Sequence, residues 1–153
     1  IHAIVKKNTD DRVVGDFKKT ANFIGDIKTT NPKNVDSEIA KLLKSYNELK
    51  SVNIEDIVNF HHKFESIHPF EDGNGRTGRL IMFKECLKNN ITPFIIDDEH
   101  KLFYYRGLRE YDNTKGYLVD TCLSCQDKYQ EILNEQSQQR STKIKKSNRE
   151  KRN

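Results

Sequence analysis

The sequence predicts an all-α domain that carries one small β-hairpin. Apolar residues recur at helical spacing along most of the chain, and a strand-like pattern is confined to one short segment. The 153 residues are enough to enclose one sizeable core. Apolar residues make up 34 % of the chain and charged residues 33 %, which indicates a modest core under a heavily charged surface. No apolar run approaches the roughly 20 residues needed to span a bilayer.

The strand-like segment reads TANFIGDIKT and precedes all of the longer helical patterns. Its apolar residues Phe23, Ile24 and Ile27 lie on both sides of Gly25 and Asp26. This pair tolerates the positive φ that a tight turn demands. The segment therefore predicts a short hairpin centred on Gly25-Asp26.

The rest of the chain predicts helices. Asp36 or Ser37 can cap the first of them and Asn53 the second, while Pro69 forces the second to end near Ile67. The first is expected to bury Ile39, Leu42, Leu43, Tyr46 and Leu49. A third helix starts near Gly75 and stops at Asn89-Asn90, and its apolar residues are Leu80, Ile81, Phe83, Cys86 and Leu87. Two more helices run from about Asp98 to Tyr111 and from about Lys115 to Leu133.

Three cysteines, Cys86, Cys122 and Cys125, are too few for a disulfide framework. Their number fits a reducing compartment, so we expect a cytoplasmic protein. Cys122 and Cys125 form a C-x-x-C, which zinc or redox chemistry could use. Zinc would require a second pair of ligands, and none is evident in the sequence. Two residues three apart share one face of a helix, so packing is the preferred interpretation.

The basic character of the chain is concentrated at its C-terminal end. Residues 137–153 hold seven Lys and Arg against Glu150 alone, a net charge of +6 that leaves −2 for residues 1–136. Almost no apolar residue is available for burial there, so we expect disorder or a frayed helical extension. The predicted division is a domain over 1–134 and a basic tail over 135–153. A solvated tail is preferred to weak nucleic-acid binding, and we expect neither a membrane nor a specific nucleic-acid partner for the chain.

The most unusual stretch is HPFEDGNGRTGR, residues 68–79, which lies between two helical patterns. Its G-N-G at 73–75 can adopt backbone conformations that point successive N–H groups into one concavity. The helix that begins there adds unpaired N–H groups and the positive end of its dipole. Arg76 and Arg79 face the same side, and phosphates match two guanidinium forks bidentately. The stretch therefore predicts a phosphate site.

Two residues of this loop turn a phosphate site into a candidate reaction centre. Asp72 can hold Mg²⁺, which prefers one or two carboxylates together with phosphates. His68 has a pKa suited to taking a proton from a hydroxyl group, and Phe70 can anchor the loop in the core. The combination predicts phosphoryl or nucleotidyl transfer. His61 and His62 lie inside a helical pattern, where a core or surface role is preferred to metal binding.

The loop resembles the signature of the Fic family of protein adenylyltransferases, H-x-F-x-[D/E]-G-N-G-R-x-x-R, and His68 through Arg79 meet it without departure. Residues 14–18 are similar to the family's G-x-[YF]-R segment, with Lys18 in place of arginine. Residues 21–32 look like the family's flap hairpin. Residues 93–111 resemble the helix that closes the adenine pocket. About residues 1–133 are covered.

The resemblance implies a Fic-type helical bundle with a hairpin flap, and transfer of AMP from ATP to a hydroxyl side chain of a target protein, with pyrophosphate released. It implies that His68 is the general base and that Asp72 is the Mg²⁺ ligand. It implies that the flap edge docks the target by strand addition. The implied nucleotide-binding residues are Asp72, Gly73, Asn74, Gly75, Arg76, Thr77, Gly78, Arg79, Tyr104 and Tyr105, and the implied docking residues are Ile24, Gly25, Asp26 and Ile27.

Several alternatives stay open. The Doc branch of the family phosphorylates its targets and lacks the G-N-G pattern, so AMP transfer is favoured. The same site could transfer UMP, GMP or phosphocholine, or remove AMP, and a nucleotide-binding toxin–antitoxin module without catalysis would keep the loop for structure. The family's inhibitory motif, [S/T]-x-x-x-E-[G/N], is not found in this sequence. We expect it before Ile1 or on a partner antitoxin, and we expect this chain to modify itself with AMP.

Overall fold

The computed structural model describes residues 1–7 and 14–150, with side chains up to residue 143. Its helices and its single hairpin agree with the predicted all-α class. In chain order the elements are α1 (His2–Val5), β1 (Phe23–Ile24), β2 (Ile27–Lys28), α2 (Val35–Asn47), α3 (Ile54–Ile67), α4 (Asn74–Lys88), α5 (Lys101–Glu110) and α6 (Gly116–Glu150).

The hairpin forms where the sequence predicts it. Strands β1 and β2 pair antiparallel, with Phe23 opposite Lys28 and Ile24 opposite Ile27. Gly25 has a φ of 60° at the turn, a conformation that a residue without Cβ adopts at no steric cost. The side chains of both strands are exposed, so the hairpin projects from the helices.

The helix starts agree with the sequence in one case and not in another. Asn53 caps α3 in a capping box, since its side chain accepts from the Asp56 N–H and the Asp56 carboxylate accepts from the Asn53 N–H. Helix α2 instead begins at Val35, before the expected caps Asp36 and Ser37. Val35 is fully buried, so its packing fixes where this helix starts.

Helix α3 lies between two apolar clusters and contacts α2, α4 and α6. Four leucines of the predicted helical patterns are exposed, and for Leu43 and Leu49 burial was expected, because helical spacing marks a stripe without telling which of its edges meets a neighbour. Those leucines are Leu43, Leu49, Leu80 and Leu87. The cluster towards α6 contains Ile57, Val58, Met82, Cys86, Phe94, Tyr104, Tyr111, Leu118, Cys122 and Cys125, and the cluster towards α2 contains Val35, Leu42, Tyr46, Phe60, Phe64, Ile67 and Phe70.

The three cysteines are free thiols buried in the core. Burial raises the pKa of the Cys86 thiol to about 11, so the thiol stays protonated and unreactive. Cys122 and Cys125 pack in the same cluster, which supports the packing interpretation of the C-x-x-C. Nearby, α5 approaches α6 closely at Gly107, where a Cβ would lie 2.7 Å from the Cα of Leu118.

The last helix continues without a break into the basic segment and reaches Glu150. The expected boundary at residue 134 therefore falls inside α6, and the division of the chain there stays a prediction. The side chains beyond residue 143, and Lys151 and Arg152 altogether, lie outside the described residues. Within the described part of the chain, no helix is both long and apolar enough to cross a membrane.

Candidate functional site

His68 occupies the turn that ends α3. Its φ of 50° is left-handed, and its N–H donates to the Phe64 carbonyl at 3.0 Å, which completes the last turn. The His68 Nδ1 lies 3.3 Å from the Glu65 carbonyl oxygen and 4.0 Å from the Glu65 carboxylate. Burial lowers the pKa of His68. When a neutral imidazole donates its proton from Nδ1, the lone pair of Nε2 is free to accept a proton.

Asn74 closes the loop from inside. Its side-chain oxygen accepts from the Phe70 N–H at 2.8 Å, and its side-chain amide donates to the Phe70 carbonyl at 2.8 Å. The residue is buried at the first position of α4. Both polar ends of the side chain are thus used within the loop. The role of Asn74 in nucleotide binding stays a prediction, and its backbone N–H is the group that these two bonds leave available.

The N-terminus of α4 presents its backbone N–H groups at the loop. Gly73 precedes the helix with a φ of 81°, and among the described residues no side chain caps this end. Arg76 on the first turn is half exposed and lies 3.5 Å from the Asp72 carboxylate. The Arg79 guanidinium returns to the same turn, because a Cβ added to Gly75 would lie 3.1 Å from one of its nitrogens. The two arginines and the helix end together form a positive surface.

The opposite side of α4 is buried against α3. A Cβ added to Gly78 would lie only 2.4 Å from Glu65 Oε1 and 3.0 Å from the His61 ring, so the two helices touch at this glycine. Thr77 is buried as well. Both residues lie at the interface of α3 and α4, and the expectation that they bind nucleotide stays a prediction. Burial raises the pKa of Glu65 to about 7 and lowers that of His61 to about 3.

The two tyrosines expected near adenine or ribose lie in different environments. Tyr104 is 2 % exposed, and its hydroxyl is 2.8 Å from His61 Nε2. The Arg79 guanidinium lies 5.9 Å from the Tyr104 ring centroid. Tyr105 is 50 % exposed. Tyr104 is therefore enclosed beside Arg79, whereas the ring of Tyr105 is accessible, and the expected contact of both tyrosines with nucleotide stays a prediction.

This loop and the segments before it match the Fic/DOC family over residues 1–86, more than half of the chain. The chain belongs to the Fic/DOC family. Protein adenylyltransferase fic-1 from Caenorhabditis elegans is 28 % identical over 111 residues, which are 71 % of this chain and 22 % of the relative. Protein adenylyltransferase Fic from Drosophila grimshawi is 30 % identical over 118 residues, which are 71 % of this chain and 23 % of the relative. The chain thus spans under a quarter of the length of these curated relatives.

Solved Fic structures have the same fold. Fic-1 from C. elegans superposes with a TM-score of 0.74 at 22 % identity, over 90 % of this chain and 42 % of that one. A Fic family protein from Desulfovibrio desulfuricans gives a TM-score of 0.68 at 23 % identity, over 88 % of this chain and 45 % of that one. At this level of identity the likeness establishes the helical fold with its hairpin.

The stem of the Fic hairpin is tied to the loop by Lys18, the residue that replaces the family's arginine. Its buried ammonium donates to Asn22 Oδ1 and Thr29 Oγ1, both at 2.7 Å, and to the Ile67 carbonyl at 3.2 Å. Both sides of the hairpin are therefore fixed to the end of α3, one residue before His68. The Lys18 ammonium thus donates three hydrogen bonds, all to neutral oxygens.

The Fic loop is covered from outside by α1, which sequence reasoning missed. The His2 ring stacks on Phe70 at 3.7 Å with an interplanar angle of 1°. His2 Nδ1 accepts from the Gly15 N–H at 3.0 Å, so Nε2 donates to the Asp72 carbonyl at 2.9 Å. Lys6 pairs with the Asp72 carboxylate. A four-residue helix at the start of the chain carries no periodicity that could have revealed these contacts.

Asp72 is the carboxylate that could hold a divalent cation. Its side chain is 65 % exposed beside the N-terminus of α4, and its hydrogen bond with Lys6 is the main cause that lowers the pKa of the carboxyl. A single accessible carboxylate next to a phosphate site fits Mg²⁺, which takes its other ligands from phosphates and water. A second acidic group, Asp97 with Glu99 and His100, lies elsewhere, and Lys128 already bridges its two carboxylates at 2.6 Å.

Proposed function

We propose that this chain transfers AMP from ATP to a serine, threonine or tyrosine hydroxyl of a target protein. The observation that supports the proposal is that one short loop contains both a candidate base and a candidate phosphate site. His68 supplies a neutral imidazole, and the uncapped N-terminus of α4 begins six residues later. The named activity of relatives in two animal species supports the same reaction.

The reaction requires His68 as a general base. The target hydroxyl oxygen would attack the α-phosphorus, the bond from that phosphorus to the bridging oxygen of the β-phosphate would break, and pyrophosphate would leave. His68 would take the hydroxyl proton at Nε2, since its Nδ1 is directed at the Glu65 carbonyl. Because burial keeps the pKa of His68 below its ordinary value, the base would be unprotonated at neutral pH.

The phosphates would be held mainly by main-chain groups and two arginines. The N–H groups of residues 73–75 and the dipole of α4 favour an anion at this end. Arg76 and Arg79 would bind the outer phosphates, with Tyr104 holding the Arg79 guanidinium in place. When Mg²⁺ is bound, it would neutralise charge on the phosphates. The protein residue that would hold it is Asp72.

The hairpin would hold the target segment. Ile24 and Ile27 are exposed together with the turn residues Gly25 and Asp26, so a target strand could pair with the free edge. Main-chain hydrogen bonds give such docking little dependence on the target's sequence. Lys18 fixes the base of the hairpin next to His68, and a docked hydroxyl would therefore be delivered near the base.

The experiment is intact-mass analysis after incubation with ATP and Mg²⁺, on the parent chain and two variants. His68→Ala is expected to reduce AMP incorporation by at least about 100-fold while ATP binding is retained. His62→Ala is the matched control, because this neighbouring histidine stacks on Tyr111 on another face of α3 and should retain transfer.

Two results would contradict the proposal. One is equal AMP incorporation by His68→Ala and the parent, and the other is absence of both ATP binding and adduct in the parent. Parallel incubations with UTP, GTP and CDP-choline identify the transferred group, since each leaves an adduct of different mass. Incubation of AMP-modified chain without nucleotide tests removal of AMP.

A further inference from the structure

We propose that Lys6 is a positioning residue that keeps a divalent cation off Asp72 until nucleotide phosphates are present. The metal would then enter the site with the nucleotide and not before it. This inference rests on the proposed nucleotidyl transfer, because it concerns the carboxylate that would hold the metal in that reaction. It adds a residue outside the loop to the machinery of the site.

The Lys6 and Asp72 side chains are in close contact but differ in exposure to solvent. Lys6 Nζ lies 2.5 Å from Asp72 Oδ2, and an Arg76 nitrogen lies 3.5 Å from the same oxygen. The Lys6 side chain is 4 % exposed, whereas that of Asp72 is 65 % exposed. The ammonium thus reaches the carboxylate from the protein side, and the solvent side of the carboxylate stays open to a ligand.

Lys6 is held in this position by packing. A Cβ added to Gly73 would lie 3.1 Å from Lys6 Cδ, so the lysine stem lies directly on the loop backbone. One turn earlier on α1, His2 stacks on Phe70 and contacts the Asp72 carbonyl. Lys6 directly follows α1 and lies four positions after His2, so both side chains lie on the same side of this turn. The charge is therefore part of the site and not a mobile surface group.

Charge decides what can bind to the carboxylate. A divalent cation on Asp72 of the nucleotide-free protein would lie beside two other cations, Lys6 and Arg76, which already contact this carboxylate. Like charges at such separations repel substantially even at a protein surface. The triphosphate of ATP brings enough negative charge to balance the metal and both side chains. Binding of metal alone is therefore disfavoured, and binding of metal with nucleotide is not.

The test measures Mn²⁺ binding to the nucleotide-free protein by electron paramagnetic resonance, so it needs no catalytic turnover. Lys6→Met removes the charge and keeps an unbranched stem, and it should tighten Mn²⁺ binding by about ten-fold. The same variant should weaken binding of metal-free ATP, because one positive charge near the phosphates is lost. Lys7→Met is the matched control, with the same charge change on the exposed neighbour, and Lys6→Arg should behave as the parent.

Equal Mn²⁺ affinity in Lys6→Met and Lys7→Met would overturn the inference. If Lys6→Met fails to fold, as judged by circular dichroism, Lys6→Gln compared with Lys7→Gln decides the question, and the parent chain supplies a further check. The parent should bind Mn²⁺ weakly alone and at least about ten-fold more tightly with a non-hydrolysable ATP analogue. Tight Mn²⁺ binding to the parent alone, lost in Asp72→Asn, would contradict the inference. Failure of the analogue to bind at all would instead count against the proposed function.

Discussion

The loop between His68 and Arg79 has an outer side that faces solvent and an inner side that faces α3. The polar groups of the two sides have opposite roles. The outer side displays charge: Asp72 and Arg76 are exposed and paired at 3.5 Å. The inner side encloses polar groups under α3: Asn74 and Glu65 are both buried. Charge on the outer side is available for a ligand, whereas polar groups on the inner side fix the shape of the backbone.

Burial also selects the protonation state on the inner side. It raises the pKa of Glu65 to about 7 and lowers that of His61 to about 3, so both groups favour their neutral forms. On the outer side the pKa of Asp72 is lowered, first by its hydrogen bond with Lys6, so this carboxyl favours its charged form. Substitutions inside should therefore change folding stability, and substitutions outside should change ligand binding.

The largest effect on stability is expected for Asn74→Ala. The change leaves the buried Phe70 N–H without its partner and removes one of two donors from the Phe70 carbonyl, which keeps its bond from Asn22. The free energy of unfolding should fall by roughly 2 to 4 kcal/mol. Urea denaturation measures this loss. Arg76→Gln on the outer side is the matched control, because its side chain is half exposed, and it should stay within about 1 kcal/mol of the parent.

If Asn74→Ala and Arg76→Gln lose similar stability, the contrast between the two sides is wrong. A loss in Asn74→Ala that disappears in the additional presence of ATP would show something different. It would mean that phosphate binding alone can organise the loop, so the two sides would be coupled and not separate.

The next effect is a pH dependence carried by Glu65. The folded protein holds the Glu65 proton up to about pH 7, whereas the unfolded chain releases it near 4.5. The resulting stabilisation is complete below the lower value and is lost as the pH rises through the higher one. Its full size is at most about 3 kcal/mol. Glu65→Gln cannot titrate, so the stability of the parent relative to this variant should fall between pH 4.5 and 7.

Chemical denaturation of both proteins at several pH values tests this expectation. Stability curves that run parallel from pH 4.5 to 8 would contradict it. The same series on Glu71→Gln gives the outer-side control, because Glu71 accepts hydrogen bonds from the Lys19 and Thr20 N–H groups and the pKa of its carboxyl is lowered. The parent should therefore gain stability relative to Glu71→Gln as the pH rises towards 4.5, the ordinary value for a glutamate.

Local signals in the sequence were sufficient for parts of this picture. The hairpin at Gly25-Asp26 and the cap at Asn53 depend on residues a few positions apart, and both were predicted. The loop was predicted from an uninterrupted run of twelve residues. In each case the physical cause lies within the segment itself, so the chain's path elsewhere does not alter it.

The remaining features depend on contacts between distant parts of the chain. Lys6 meets Asp72 across 66 residues, and His2 contacts the same residue across 70. No periodicity encodes such a pairing. The burial of Thr77 and Gly78 likewise depends on how α3 packs against α4. The exposure of Leu80 depends on which side of α4 no other element covers. A motif gives the residues of a site but does not tell which of them face the ligand.

The smallest effect on stability is expected for Thr77→Val, which should stabilise the protein and not destabilise it. The Thr77 hydroxyl is buried and has no hydrogen-bond partner among the described residues. Valine has nearly the same shape and removes the desolvated oxygen, so the free energy of unfolding should rise by about 0.5 to 1 kcal/mol. Urea denaturation at pH 7 measures the change, and Thr77→Ala is the control that removes volume as well and should destabilise. A loss of stability in Thr77→Val would mean that the hydroxyl is satisfied by water enclosed between α3 and α4. The inner side would then be a hydrated layer, and its rigidity could no longer be attributed to direct packing.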